Sequence, residues 1–449
     1  MASTRLHRTP GSSSNQVKWT WSGWIKKCTN SLSGCLFCAF TDANNYTELD
    51  MGSNQIDYYN VTGGGVDARR TTSAYQRDPG AWYHVVVVCD SANATPGDRM
   101  KVYINGVEQT AFSATTDPSS SLNSIMNSTA PQEIGARALV TTTFFNGYMA
   151  HVHFCDGQAY AASDFGETDS TSGIWIAKTS PSVSYGTNGY FLKFASGALG
   201  TDSSGNGNNM TVVGDLNHNK DNPDNNFATL NPNYPSNGYS SQSPTFANGN
   251  NTLTTVNASS QWGISPSTVA LSTGKWYAEC KISATSGDTL IGLLSSNWTA
   301  NNFLGNFSTD YGWYSSDGKV YNNNDGGSAY GGTYTTSDII GIYLDLDNNK
   351  LYFGKNGTVE NSGTGVSITA AADTNKESYM LAAQDWNSSG NGTFQWNFGN
   401  GYFGTDLIAS ASADAGGEGQ FKYNPSTGTF DGSSKDFRAI CTNNIATYG

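Results

Sequence analysis

Glycoside hydrolysis needs two carboxylates flanking the bond to be cut, and alternate acids on one strand, as in a Glu-x-Asp-x-x-Glu run, could present them. The nearest run in this 449-residue sequence is Glu167-Thr-Asp-Ser-Thr-Ser172, which lacks the final acid and lies between Gly166 and Gly173. It reads as a turn. Nucleophilic and metal-hydrolytic chemistry have no better footing, because there is neither a Gly-x-Ser-x-Gly elbow nor a His-Glu-x-x-His pair. His151 and His153 stand two apart on an expected strand and share a face, but no third metal ligand accompanies them, and a solvent-facing polar edge is the simpler reading.

Cysteine and oxygen ligands offer two further routes to a metal. Cys35-Leu-Phe-Cys38 is the one CxxC pair, with Cys28 close by; zinc would want a fourth ligand at matching spacing, and none follows. Seven cysteines is an odd number for a disulfide framework, and Cys89 and Cys280, inside strand-like runs, read as small buried hydrophobes. Asp345-Leu-Asp-Asn-Asn349 copies the first ligand positions of an EF-hand loop, yet Lys350 replaces the required Gly and Asn356 the bidentate Glu, so a β-turn is expected. Asp202, Asn206 and Asn208, in Asp202-Ser-Ser-Gly-Asn-Gly-Asn208, come closer to a calcium loop and are the candidate metal ligands, although Asn and Gly also suit a bare turn. Three loop aromatics are candidate ligand contacts, because an exposed ring on a loop held by a rigid scaffold can stack on a sugar. They are Trp298, in Ser296-Asn-Trp-Thr-Ala300, and Tyr330 and Tyr334, in a Gly-rich stretch.

These residues need a frame, and the composition says which. Charged residues make up 13% of the chain against a typical ~25%, while Gly numbers 51 and Pro 12, so polarity comes from Ser, Thr, Asn and Gly. With 11 Trp, 24 Tyr and 20 Phe the chain has the apolar payload to fold, and its length predicts two or three domains. A net charge of −13 opposes attraction to nucleic-acid phosphates or anionic lipid, so neither is an expected partner. The N-terminus lacks the apolar core of a secretory signal, and no stretch approaches ~18 apolar residues, so synthesis and folding in a cytosol are expected.

Helical periodicity is almost absent; short alternating or β-branched runs punctuated by Gly, Asn and Asp predict an all-β chain of two tandem antiparallel β-sandwiches. In the first, Val17, Trp19 and Trp21 fall on one strand face, and four consecutive valines in Trp82-Tyr-His-Val-Val-Val-Val-Cys89 predict burial on both faces. Asn105-Gly106 in Lys101-Val-Tyr-Ile-Asn-Gly-Val107 is a type I′ hairpin signal. The boundaries read as a first module over 1–213, an Asn/Pro/Ser-rich linker over 214–245 and a second module over 246–449. Pro223, Pro232, Pro235 and Pro244 make the linker extended and semi-rigid, and Phe227-Ala-Thr-Leu230 within it has the pattern of a strand of the second module.

The order Trp82-Tyr-His-Val-Val-Val, Val102-Tyr-Ile-Asn-Gly, Gly147-Tyr-Met-Ala-His-Val-His-Phe154 resembles a laminin-G or concanavalin A-like jelly roll, over roughly residues 1–212. Relatives of that kind often bind calcium, which is what the resemblance adds to the Asp202 loop. The second module carries Gly274-Lys-Trp-Tyr-Ala-Glu-Cys-Lys-Ile282, Leu290-Ile-Gly-Leu293, Tyr311-Gly-Trp313, Asp317-Gly-Lys-Val-Tyr321, Asp338-Ile-Ile-Gly-Ile-Tyr-Leu-Asp-Leu346 and Lys350-Leu-Tyr-Phe-Gly-Lys-Asn-Gly357. In order and spacing it is similar to a SPRY (B30.2-like) domain. By that resemblance Trp276, Trp313 and Tyr352 are framework positions in the core. Phe437-Arg-Ala-Ile-Cys-Thr-Asn443 alternates as a closing strand would.

The tandem pairing, the opening Arg8-Thr-Pro10 with Trp21-Ser-Gly-Trp24, and the closing Phe437–Asn443 segment are together similar to virion proteins of marine tailed bacteriophages. The resemblance implies a non-enzymatic fibre, appendage or capsid-decoration protein, located in the virion after assembly in a host cytoplasm. It also implies other capsid or tail proteins as partners, many copies per particle and host surface carbohydrate or protein as ligand. A purely architectural cement protein and a glycan hydrolase are the competing expectations.

Overall fold

The computed structural model describes residues 4–29, 33–137, 143–234, 244–256, 261–285, 288–295, 302–374, 376–387 and 390–449. The chain divides into two compact units. One comprises Met1–His218 with Asn222–Asp224, the other Asn219–Asp221 with Asn225–Gly449. Both are antiparallel β-sandwiches, so the all-β expectation holds, and one α-helix, Thr442–Tyr448, occurs among the described residues.

In the first unit an eight-stranded sheet packs on a six-stranded one. The six-stranded sheet is centred on Lys18–Lys27, which pairs with Tyr83–Asp90 on one side and Gly147–Asp156 on the other. Alternation along Lys18–Lys27 sends Trp19, Trp21 and Ile25 into the core between the sheets, with Val85, Val87 and Phe154 beside them. The four-valine run is buried on both faces. Val85 and Val87 enter the core, and Val86 and Val88 lie under Ala162 and Phe165 on the other side. Asn105 and Gly106 have φ of 48° and 81°, which is the two-residue turn the hairpin requires.

In the second unit Lys275–Ala284 lies at the middle of a nine-stranded sheet, flanked by Ile339–Asp345 and Thr393–Asn397. The facing six-stranded sheet runs in the order Gln261–Pro266, Met380–Asn387, Thr289–Leu294, Tyr311–Tyr314, Lys319–Tyr321, Ser328–Ala329. Trp276, Trp313 and Trp396 fill the space between them, each almost fully buried. Gly292 lies opposite Gly312, and a Cβ on it would fall 1.9 Å from the Tyr311 carbonyl oxygen, so only glycine fits the strand there. Phe227 and Leu230 are buried in this unit, bridging to Cys441 and Ser267. Arg438–Ala439 pairs in parallel with Lys275–Ala284, after which the chain ends in the short helix rather than in a longer strand.

Candidate functional site

The outer face of the six-stranded sheet in the second unit carries a row of half-buried rings. Trp262 and Trp386 stand directly opposite each other on paired strands, with ring centroids 5.1 Å apart. Phe303 continues the row 6.1 Å from Trp262, Tyr321 lies 6.0 Å from Phe303, and Tyr314 lies 5.7 Å from Tyr321. Beneath them Ile264, Leu290, Leu294, Leu304 and Ala382 form a dry floor. The rings are fixed from below by polar pins. Gln384, fully buried, accepts from the Leu304 N–H at 2.5 Å and donates to the Asn302 carbonyl at 2.9 Å, which sets the loop bearing Phe303 on the sheet. Tyr314 donates to Asp288 at 2.5 Å and Tyr321 to Asp317 at 2.8 Å.

Burial and those hydrogen bonds to carboxylates push both phenols up to about 12, so the row keeps neutral rings across the physiological range. A neutral aromatic strip edged by Asp288 and Asp317 can stack on an apolar ligand face and accept hydrogen bonds at its margin.

Residues 4–163 match the model of the concanavalin A-like lectin/glucanase superfamily, and residues 275–394 match that of the SPRY domain. Residues 4–163 form a concanavalin A-like domain and residues 275–394 a SPRY domain. "Dual specificity protein kinase splA" of Dictyostelium discoideum is 35% identical over 96 residues, 21% of this chain and 4% of that protein. "Ran-binding proteins 9/10 homolog" of Drosophila melanogaster is 33% identical over 88 residues, 19% of this chain and 9% of its own length. The chain thus spans under a tenth of either relative. Among solved structures, a human SPRY domain is 18% identical and covers 32% of this chain and 91% of its own, with a TM-score of 0.26. Both domain kinds are typically binding modules, which is consistent with a non-enzymatic role.

The SPRY domain places Tyr330 and Tyr334 differently from the sequence expectation. They are 8% and 4% exposed and belong to the core around Trp313. The Tyr334 hydroxyl donates to the Trp313 carbonyl at 2.5 Å and the Thr289 carbonyl at 3.1 Å, and the Tyr330 hydroxyl accepts from the Phe353 N–H at 3.0 Å. The Gly-rich stretch folds inward, with both hydroxyls bonded to backbone groups of the strands, so the two rings are core residues and not exposed loop aromatics. Trp298 lies outside the described residues. The rings that do form a surface row carry no local sequence signal, since they come from five segments that strand register and the Gln384-held loop bring together.

In the concanavalin A-like unit the Asp202 loop is closed by its own hydrogen bonds. One Asp202 oxygen accepts from the Phe191 and Ser204 N–H groups, and the other from the Ser204 hydroxyl and the Asn208 N–H, at 2.8–2.9 Å. Asn206 and Asn208 turn their amide nitrogens to the Gly189 carbonyl, and the Asn208 side-chain oxygen accepts from Arg8 at 2.5 Å. Donors occupy the positions that calcium would need as oxygens, so Asp202, Asn206 and Asn208 do not fit the ion. Asp345 likewise closes its turn on Asn348 and accepts from Lys435 at 2.7 Å. Asp169 caps the Thr171 and Ser172 N–H groups, as a turn does. His153 is buried, stacked on Phe191 with centroids 4.0 Å apart and bonded to the Tyr185 hydroxyl; burial lowers its pKa well below the ordinary value. All seven cysteines are buried, and none is in a disulfide.

Proposed function

We propose that this chain is a non-catalytic binding protein of a bacteriophage virion and that the aromatic row Trp386–Trp262–Phe303–Tyr321–Tyr314 receives a host surface glycan. The observation that carries the reading is the row itself: neutral rings, half open to solvent, held on a rigid sheet and edged by carboxylates. Sugars present apolar C–H faces and rims of hydroxyls, which match stacking rings and acidic acceptors in turn. The virion assignment rests on the sequence resemblance. On a particle, many weak copies add through avidity, so a modest single-site affinity suffices.

The test is a glycan array run with a reducing-sugar release assay on the same hits. Binding without release is expected, and Trp262→Ala is expected to weaken the best hit about fivefold to tenfold, as loss of one stacked ring worth ~1–1.4 kcal/mol implies. Release of sugar would make the protein a hydrolase instead. Silence on the array, with particle imaging that places the chain between coat subunits, would favour the architectural role.

A further inference from the structure

The outer face of the eight-stranded sheet in the first unit holds a second, unrelated cluster. Cys35 lies opposite Asp50 and Cys38 opposite Glu48 on the paired strands Ser33–Asp42 and Asn45–Gly52. Residues three apart on a regular strand face opposite ways, but the register slips between Cys35 and Phe37. That bulge sends Leu36 and Phe37 to the core and leaves both cysteines in a separate cluster with Phe40 and Tyr46. Glu48 and Asp50, two apart, come up beside them.

Ligand atoms of Cys35, Glu48 and Asp50 lie within 4.8 Å of one another, a set that does not include the Cys38 sulfur. Cys35, Cys38 and Glu48 are all 0% exposed. Cys38 is within hydrogen-bond reach of the Cys35 thiol and donates to the Ala136 carbonyl at 3.4 Å. The second carboxylate oxygens are already oriented, since the Tyr59 hydroxyl reaches Glu48 Oε2 at 2.8 Å and Asp50 Oδ2 at 3.2 Å, and Arg137 Nε lies 2.8 Å from Glu48 Oε2. The first oxygens, Glu48 Oε1 and Asp50 Oδ1, are buried without a donor. Buried carboxylate oxygens without a donor, on two residues whose ligand atoms cluster with a buried thiol, call for a cation or a shared proton there.

We propose that Cys35, Cys38, Glu48 and Asp50 bind a zinc ion. Two sulfurs and two oxygens suit zinc, whereas calcium and magnesium take oxygen alone. A tetrahedral zinc holds such atoms about 3.3–3.8 Å apart, so closing on the ion takes movements of about 1 Å in Cys35, Glu48 and Asp50 and a turn of the Cys38 thiol away from the Ala136 carbonyl. Each thiol that ligates gives its proton to solvent. Tyr59 and Arg137 orient the carboxylates from outside. Four protein ligands, with Cys35, Cys38 and Glu48 fully buried and Asp50 partly so, make a structural site that staples neighbouring strands, with no position left for substrate.

The full-length protein, freed of metal by chelation under reducing conditions, is titrated with Co²⁺ and then with Zn²⁺. Expected are one ion per chain, a thiolate-to-cobalt charge-transfer band with the visible bands of a tetrahedral ion, displacement of cobalt by zinc, and a Tm that rises with zinc. Cys35→Ser should remove the charge-transfer intensity of one thiolate and weaken binding by more than about 100-fold, beyond what loss of an outer partner costs. Asp50→Asn should keep the thiolate band and weaken binding. If either variant fails to fold, the wild-type spectrum and Tm still decide. A wild-type chain with no charge-transfer band, a zinc-independent Tm, or a band untouched by a folded Cys35→Ser would overturn the site and leave a shared proton as its occupant.

Discussion

Glu279 offers the sharpest test of the packing logic. It sits fully buried in the central strand Lys275–Ala284 and clamps the C-terminal segment to the sheet. Oε2 accepts from the Lys422 N–H at 2.8 Å and the Asn397 amide at 3.1 Å, and Oε1 from the Tyr423 N–H at 2.8 Å and the Tyr277 hydroxyl at 3.1 Å. Burial pushes the carboxyl up to about 7 from an ordinary 4.5, and the four donors pull it only part of the way back. The folded chain therefore keeps this proton over a range of pH in which the unfolded chain has lost it. The stability so gained is complete below about 4.5 and disappears as pH rises through about 7. At ~1.36 kcal/mol per pH unit, that interval is worth about 3 kcal/mol.

The assay is urea unfolding of the wild type and of Glu279→Gln from pH 4.5 to 7.5, with the variant marking which transition belongs to the unit containing residue 279. The difference between them isolates this one titration from every other. The wild-type advantage should shrink by about 3 kcal/mol as pH rises across the window. A constant difference, or one that widens with pH, would mean that the four donors outweigh desolvation and that Glu279 is ionised throughout.

Two other outcomes follow from the same structure. Tyr334→Phe removes a buried donor from the Trp313 and Thr289 carbonyls and should cost about 1–3 kcal/mol in urea unfolding while leaving ligand affinity unchanged; a loss of binding at constant stability would restore the ring as a contact. Asp202→Ala strips acceptors from the Phe191, Ser204 and Asn208 N–H groups and should cost about 2–3 kcal/mol, whereas calcium or a calcium chelator should leave the wild-type Tm unchanged; a calcium-dependent Tm would show that the loop rearranges around the ion.

What the sequence made legible was local. The all-β architecture follows from alternation and turn chemistry, which act over a few residues. The four valines buried on both faces, Trp19 with Trp21 on one side of a strand, and Asn105-Gly106 at positive φ could each be read from a short window. The aromatic core positions Trp276, Trp313 and Tyr352 were also legible, through family spacing. Failure came where one residue type supports two fates and a distant partner decides. Tyr330 and Tyr334 sit in a Gly-rich stretch that looks like a surface loop, but strand carbonyls and an N–H from elsewhere in the chain draw them inward. Asp202, Asn206 and Asn208 carry oxygens suited to a metal, yet the Phe191 N–H and Arg8 reach them first.

Register is the hidden variable in both surfaces that matter most. Trp262 and Trp386 are 124 positions apart and meet only because Gln261–Pro266 pairs with Met380–Asn387 one residue to one. A slip of one residue would turn each ring to the opposite face of the sheet. The Cys35–Cys38 pair shows the same dependence in the opposite sense. On an unbroken strand its two thiols would face opposite ways, and a search for zinc ligands at conventional spacing along the chain finds nothing. A single-residue bulge places both beside two carboxylates of the next strand. A bulge is an offset between two strands rather than a property of one, so a reading of Cys35-Leu-Phe-Cys38 that stops at its own residues misses the partners Glu48 and Asp50, only about a dozen residues away in sequence.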